Sequence, residues 1–463
     1  KRYGVWPEGT MTSKTTIEVS FKGQAVILAG GFGTRLKSTL ASDVPKPMAP
    51  IAGIPLLEHQ LKLLASHGFN RIIILVHHHA EYIKRYFGDG NELGIQIQYS
   101  TESIPRGTAG AIYDCLSQLE DVFLVLYGDI YLDVNLTEFF NSKLNDYAVL
   151  TFCHPNSHPF DSDLLKCDES GRVLSVFRPS RSGQVLYKNM VNAALYVVDK
   201  RIFQSYGYSS GTMDISSELF PRLLEKNEHI QIYKSVEYIK DMGTPKRYQA
   251  VKDAVFNGTV ERLSGRNKRV CLFLDRDGVI NREVGHLSRL DQFELLPNVA
   301  KAIELMNNYG VLVICVTNQP VIARGDLSLE GLSQIHMKME VELGRHGAYL
   351  DDIYFCPHHP DSGFKGEVRE LKVLCDCRKP KPGMILKALH EYNIDPVNSW
   401  LIGDHPRDIL AGNAAGLQTI LIGQYSGKNV NQEDGSNLGH TDILEVCQNI
   451  LQKMNLVTTN NFS

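Results

Sequence analysis

Two stretches of this 463-residue chain carry residues of the types and spacing that phosphate chemistry needs. In the first, AVILAGGFGTRLKSTLASDVPKPMAPIAG over residues 25–53, an apolar run of strand character leads into Gly30, Gly31 and Gly33. Arg35 follows, and then Lys46 between Pro45 and Pro47. Glycines let a backbone approach a phosphate closely, and two cations converging on it suit a triphosphate. The second stretch, VCLFLDRDGVIN over residues 270–281, delivers Asp275 and Asp277 at the end of an apolar run. Residues two apart on a strand point the same way. Carboxylates that close stay ionised together beside a phosphate when a magnesium ion lies between them. One aspartate can then attack phosphorus while the other moves a proton.

Further residues join each group. The apolar run 122–127 ends in Gly128 and Asp129, and residues 236–240 lead into Asp241; two strand-end aspartates can clamp one magnesium against a triphosphate. Arg106, Gly107, Thr108 and Gly110 open a predicted helix, whose N-terminus favours anions. Glu102 stands five residues before Gly107. A carboxylate only accepts, which matches the paired N1–H and N2 amino donors of guanine and points to GTP. In the second group, the run 311–316 ends in Thr317, Asn318 and Gln319, donors for a phosphate; Arg378 and Lys379 add cations, and residues 400–402 run into Gly403 and Asp404, with Asp408 beyond. Cys356, His358, Cys375 and Cys377 make a closed tetrahedral set for a structural zinc that pins residues 355–378 over the phosphate site, with His359 as the other candidate imidazole. His77, His78 and His79 have no spaced partner and read as a polar loop near the first cleft.

The elements that must position these residues are legible in the periodicity. Residues 23–258 alternate short apolar runs with amphipathic stretches, which predicts a mostly parallel sheet covered by helices on both faces, with ligands at the strand C-terminal ends. Helices are expected over 56–67, 80–87 and 246–256, and strands over 71–76, 95–99 and 122–127. Asn257-Gly258 and the polar run after it mark residues 259–269 as a linker before a second α/β domain at 270–463. Both domains are read as Rossmann-like and three-layered. A net charge of -4 gives no basic field for nucleic acid, and no apolar run approaches the ~20 residues of a membrane helix. Nine cysteines, mostly single within apolar runs, show no disulfide framework, so cytoplasm is the expected compartment. Residues 1–10 lack a signal-peptide pattern, and Met11 is a candidate start.

Residues 23–258 resemble the sugar-phosphate nucleotidyltransferase family through LAGGFGTRL, Pro45-Lys46-Pro47, RGTAGA, YGD, VNAALYV and DMGTPKRY. The resemblance implies attack of a sugar 1-phosphate on the α-phosphorus of a nucleoside triphosphate. Arg35 would face the pyrophosphate, Lys46 the transferring group, Asp129 and Asp241 the magnesium, and Asn192 of VNAALYV the substrate. That family's Glu-Lys-Pro segment is replaced by Phe177-Arg178-Pro179, with Arg178 in place of the lysine. The second half resembles the haloacid dehalogenase superfamily of phosphatases, without a large cap. Asp275 would be the nucleophile, Asp277 the acid/base, Thr317 and Lys379 the phosphoryl holders, and Asp404 the completion of a magnesium site. CPH, CDCRKPKPG and TNQ are similar to the heptose 1,7-bisphosphate 7-phosphatases and the related histidinol phosphatases. Pro320, Val321 and His405 depart from that subgroup.

Together these features resemble the bifunctional heptose guanylyltransferase/7-phosphatases: a heptose 1,7-bisphosphate loses its 7-phosphate, and the 1-phosphate then receives GMP from GTP. The alternative is a mannose 1-phosphate or other sugar 1-phosphate nucleotidyltransferase fused to a histidinol-phosphate-type phosphatase. Expected ligands are GTP, sugar phosphates, magnesium at both sites and zinc; assembly as a homo-oligomer stays open.

Overall fold

The computed structural model describes residues 23–31, 36, 44–77, 80–102, 104–181, 183, 185–205, 211–423 and 442–457. Its first half is built on a nine-stranded sheet. Along one path the order is Val173–Phe177, Leu164–Cys167, Val191–Asp199, Val122–Tyr127, Gly23–Leu28, Phe69–Val76 and Gln96–Thr101; Val149–His154 pairs with Val191–Asp199 and with Ile230–Lys234. The four strands from Val122–Tyr127 to Gln96–Thr101 are parallel. Val191–Asp199 runs antiparallel to both of its main neighbours, so the sheet is mixed where a mostly parallel one was expected. A further antiparallel pair is added at the sheet edge, where Leu164–Cys167 and Val173–Phe177 are joined by a hairpin through Gly171 (φ 84°).

Side-chain alternation divides the sheet's two faces into two apolar clusters. Ala25, Ile27, Ile72 and Ile74 face one, and Val26, Ile73 and Leu75 face the other. Helices Leu56–Ser66 and Ala80–Phe87 supply buried residues to the first cluster and Gly107–Asp114 to the second, giving three layers.

The second half is a five-stranded parallel sheet ordered Asp352–Cys356, Leu312–Asn318, Cys271–Leu274, Trp400–Gly403 and Gln418–Leu421. Among the described residues no further sheet stands over it. Cys271, Phe273 and Ile314 from this sheet share an apolar cluster with Tyr238, Met242 and Val251 of the first half, so a common core joins the halves. Within residues 259–269, expected as a linker, the chain folds a helix at Thr259–Leu263. Thr259 Oγ1 donates to Asn308 O at 3.1 Å and Arg262 Nε to Tyr309 O at 2.7 Å, making this segment a packed joint. Its polar composition hid Val260 and Leu263, which are buried. None of the nine cysteines forms a disulfide, and among the described residues no helix is long and apolar enough to cross a membrane.

Candidate active sites and a candidate metal centre

A cleft of about 360 Å³ opens at the C-terminal ends of Gly23–Leu28 and Val122–Tyr127, with Gly30, Gly31, Lys46, Glu102, Gly107 and Asp129 on its walls. Gly33 and Arg35, expected beside them, lie outside the described residues, as do His78 and His79. Glu102 faces Gly30 closely: a Cβ on Gly30 would stand 2.9 Å from Glu102 Oε2. Its other oxygen accepts from Arg106 N at 3.1 Å, and its main-chain carbonyl meets His77 Nδ1 at 2.9 Å. His77 therefore belongs to the support of Glu102. Burial pushes the Glu102 carboxyl up, against the opposing Arg106 N–H and the nearby His77. Gly107 (φ 74°) brings its backbone so near residue 213 that a Cβ would stand 2.6 Å from Met213 O.

Lys46 is ion-paired with Asp129. Asp241 pairs with Ile130 across an antiparallel ladder, and Met242 N donates to Asp129 O at 2.8 Å, so the two strand-end aspartates are neighbours. Asp241 accepts from Gly243 N and Arg247 Nη1, each at 2.9 Å. Burial disfavours its charge, but the Arg247 guanidinium and the Gly243 N–H outweigh it and hold the carboxyl below the usual range. Among the described residues, neither aspartate belongs to a cluster of three ligand-type side chains.

Asp129 and Asp241 also border a second cavity of about 400 Å³, with Arg178, Asn192, Asp163 and His158 around it. Asn192 Nδ2 donates to Ser216 Oγ at 3.1 Å. Arg178 donates from Nη2 and Nε to Asp163 Oδ1 at 2.6 and 3.1 Å. The carboxylate beside Arg178 thus comes from the neighbouring strand's approach, and no local motif signalled it.

In the second half Asp275, Asp404 and Asp408 bring carboxylate oxygens within 4.8 Å of one another. Lys379 is buried among them, its Nζ 2.9 Å from Asp275 Oδ1, 2.7 Å from Asp408 Oδ1 and donating to Val316 O at 2.8 Å. Burial works against the ammonium, but the two carboxylates raise it above its ordinary value. Asp275 is pushed up to about 7 and Asp404 to about 6, in each case mainly by burial.

Asp277 was expected in this cluster and is not there. Cys271–Leu274 ends before Asp275, so strand alternation no longer governs where Asp277 points. Its carboxylate accepts from Arg276 Nη2 at 2.9 Å, Gln319 Nε2 at 2.9 Å and Asn281 Nδ2 at 3.0 Å. Burial opposes ionisation there, yet Arg276 and the two amides keep the carboxyl below the usual range. Asp408 was visible in the sequence only as an acid one helical turn past Asp404. It is held by the cap of helix Pro406–Ala414, where it accepts from His405 N at 3.1 Å.

Thr317 is buried beside Gln319, whose Nε2 donates to Thr317 Oγ1 at 2.8 Å. Asn318, read as a phosphate donor, instead straps the Lys379 backbone: Nδ2 donates to Lys379 O and Oδ1 accepts from Lys379 N, both at 3.0 Å. Arg378 Nη1 donates to His358 O at 3.2 Å.

Cys356, His358, Cys375 and Cys377 come together next to that strap. The sulfurs lie 3.2–3.5 Å apart, and His358 Nδ1 is 3.3 Å from Cys377 Sγ. Three sulfurs and one ring nitrogen around a common point form a donor set that could bind zinc. His359 is turned away, its Nδ1 accepting from Asp361 N at 3.2 Å. In the carboxylate cluster, Asp404 Oδ1 is buried without a hydrogen-bond partner among the described residues, which fits a cation held there by oxygen donors.

Fold and sites together define a two-site α/β enzyme, with a glycine-lined cleft in one half and a buried carboxylate–lysine cluster in the other. The Nucleotidyl transferase family matches residues 24–257, and the HAD-hydrolase-like family matches residues 376–444. The chain belongs to the nucleotidyl transferase family and carries, in its second half, a phosphatase of the HAD-hydrolase-like kind. It is 42% identical over 165 residues to the D-glycero-beta-D-manno-heptose-1,7-bisphosphate 7-phosphatase of Pasteurella multocida, covering 35% of this chain and 85% of that protein. Among solved structures it is similar to HddC from Yersinia pseudotuberculosis (26% identity, TM-score 0.44, 50% of this chain and 99% of that one). It is also similar to the D,D-heptose 1,7-bisphosphate phosphatase from B. bronchiseptica complexed with magnesium and phosphate (31% identity, TM-score 0.34, 40% and 99%).

Proposed function

We propose that the chain performs two consecutive steps: the second half removes the 7-phosphate of a D-glycero-D-manno-heptose 1,7-bisphosphate, and the first half transfers GMP from GTP to the resulting 1-phosphate, releasing pyrophosphate. The observation that carries this reading is the fusion itself. A phosphatase 42% identical to a heptose-bisphosphate 7-phosphatase shares a core with a nucleotidyl transferase whose cleft is lined by a carboxylate, Glu102, suited to the donor edge of guanine. Removing the remote phosphate first leaves the 1-phosphate that the transferase consumes.

In the phosphatase half, Asp275 attacks phosphorus, the bond to the sugar oxygen breaks, and the leaving oxygen takes a proton from Asp277; water then releases phosphate from Asp275. Asp277 stands ionised against Arg276, so it must first take up a proton and loosen that pair to act as the acid; the pair reforms once the proton has passed to the leaving oxygen, and the water's proton then returns Asp277 to its acid form. Lys379 and Thr317 hold the phosphoryl oxygens. Asp275, Asp404 and Asp408 are the residues that would hold a magnesium ion, whose charge supplies electrostatic stabilisation of the transferring phosphoryl group. Arg378, next to Lys379 in the chain, feels the charges of Arg407 and Arg324, and Arg407 also acts on Asp404, cations suited to a second phosphate on the substrate. The Cys/His cluster would hold a structural zinc next to Lys379.

In the transferase half no protein nucleophile is needed, because the sugar phosphate supplies the attacking oxygen. Lys46 and Arg35 balance the triphosphate charge, Gly30, Gly31 and Gly107 allow its close approach, and Arg178 and Asn192 receive the sugar phosphate. Asp129 and Asp241 would hold magnesium together with the nucleotide's own oxygens. A cytoplasmic setting supplies both substrates.

The test is incubation with either anomer of heptose 1,7-bisphosphate, mixed nucleoside triphosphates and magnesium, with products read by mass spectrometry. GDP-heptose and phosphate are expected. Phosphate without a nucleotide sugar overturns the transferase assignment. Asp275→Asn should stop phosphate release while transfer from preformed heptose 1-phosphate continues.

A further inference from the structure

The helix Leu329–Arg345 belongs to the phosphatase half, yet one of its faces lies against the transferase half. Val341 packs in a small apolar cluster with Phe160, Leu164, Tyr187 and Val191. Gly344 sits under Pro159 so tightly that a Cβ would stand 2.8 Å from Pro159 Cγ. Next to Val341, Glu340 Oε1 accepts from Asn189 N at 3.2 Å.

Asn189 is buried, and its side chain clasps residue 156: Nδ2 donates to Asn156 O at 2.8 Å, and Oδ1 accepts from Asn156 N at 3.3 Å. Asn156 in turn fixes the turn after it, its Oδ1 accepting from His158 N at 2.9 Å and its Nδ2 donating to Ser162 Oγ at 3.0 Å. His158 Nδ1 meets Arg247 Nη2 at 3.3 Å, and Arg247 holds Asp241. Residues 155–158 and 161–163 form one wall of the 400 Å³ cavity, ending at Asp163, the partner of Arg178. A loop of this kind, rich in polar groups and short of regular structure, keeps its shape only if its backbone groups are tied down. Its ties run back to the other half of the chain.

We propose that Glu340 is a positioning residue for the transferase, holding through Asn189 and Asn156 the loop that shapes the sugar-phosphate pocket, so that the phosphatase half is a structural part of the transferase site. This rests on reading that cavity as the sugar-phosphate pocket. Glu340 touches no substrate. Its effect falls on the sugar phosphate and leaves the nucleotide, which binds on the far side of Asp129, untouched.

The experiment uses the full chain with Glu340→Ala, Glu340→Gln and Gly344→Ala. In Glu340→Ala the KM for heptose 1-phosphate should rise about tenfold, with the KM for GTP and the kcat/KM of phosphate release both within twofold of wild type. Glu340→Gln, which keeps an acceptor for Asn189 N, should restore it. Gly344→Ala, which presses on Pro159 and leaves Glu340 in place, should shift the same constant. Amide exchange of residues 155–163 should speed up in Glu340→Ala, a readout that needs no turnover. Unchanged exchange in that loop, or an unchanged sugar-phosphate KM in both Glu340→Ala and Gly344→Ala, overturns the proposal. Wild-type protein that transfers no nucleotide to any sugar 1-phosphate overturns the activity reading instead.

Discussion

Gly278 lies directly beneath Asp404: a Cβ on Gly278 would stand 2.1 Å from Asp404 Oδ2, and the glycine's φ of 81° is itself in the left-handed region. No side chain fits there without moving the carboxylate. Gly278→Ala is therefore expected to lower phosphatase kcat by roughly 100-fold or more, since small displacements in a phosphoryl-transfer site cost that much. Transfer of GMP to preformed heptose 1-phosphate should persist. Parallel assays of phosphate and pyrophosphate release check both statements.

Lys379 is the buried counter-charge of Asp275 and Asp408. Lys379→Met leaves two carboxylates facing each other in a dry site, and breaking a buried pair of this kind costs roughly 3–5 kcal/mol. Loss of phosphate release together with a fall of several degrees in the melting temperature is expected by calorimetry. An undiminished melting temperature would show that the carboxylates have found another partner.

Glu102 accepts from Arg106 N and lines the nucleotide cleft. Glu102→Gln replaces one acceptor oxygen by a donor, which opposes the donor pair of guanine. The kcat/KM with GTP should fall about 10- to 100-fold, the worth of roughly 1–3 kcal/mol of hydrogen-bond discrimination. The ratio of GTP to UTP use in a competition assay measures the change.

Cys377 is central in the Cys/His cluster, within 3.3 Å of the other sulfurs and of His358 Nδ1. Cys377→Ser should reduce bound zinc from about one per chain to near none and lower phosphatase activity through the strap on Lys379, since a structural zinc contributes folding energy to its loop. Metal analysis by mass spectrometry and the two activity assays check this; transferase activity should stay.

Asp351 sits buried at the seam of the halves, accepting from Val313 N at 2.7 Å, and burial pushes its carboxyl up to about 7. A raised folded-state value means that the protonated form is favoured by folding. The stabilisation is complete below pH 4 and is lost as pH rises through about 7. Asp351→Asn should match wild type near pH 4 and exceed its stability at pH 8 by an amount on the order of 4 kcal/mol. Denaturant titrations at the two pH values test the sign.

Much of the chemistry was readable in the residues alone. Gly30, Lys46, Glu102, Asp129, Asp275, Lys379, Asp404 and the Cys/His set sit at strand ends or in short motifs, where spacing along the chain fixes spacing in space. The helix over 80–87 and the strand over 122–127 match because periodicity and turn residues agree there. Residues acting across sequence distance were not readable. Asp163 beside Arg178, His158 on Arg247 and Glu340 under Asn189 are ordinary polar or charged residues until the tertiary structure brings them together.

The sequence by itself determined the two reaction types, because strand-end carboxylates, glycine turns and flanking cations are local arrangements that short-range geometry enforces. Only the tertiary structure decided which carboxylates come together, Asp408 in place of Asp277, because Asp275 already lies beyond the strand and alternation no longer constrains the residues after it. It decided as well that residues 259–269 form a packed joint and that the two halves share a core, because burial of Val260, Leu263, Tyr238 and Phe273 depends on surfaces meeting that are far apart in the chain.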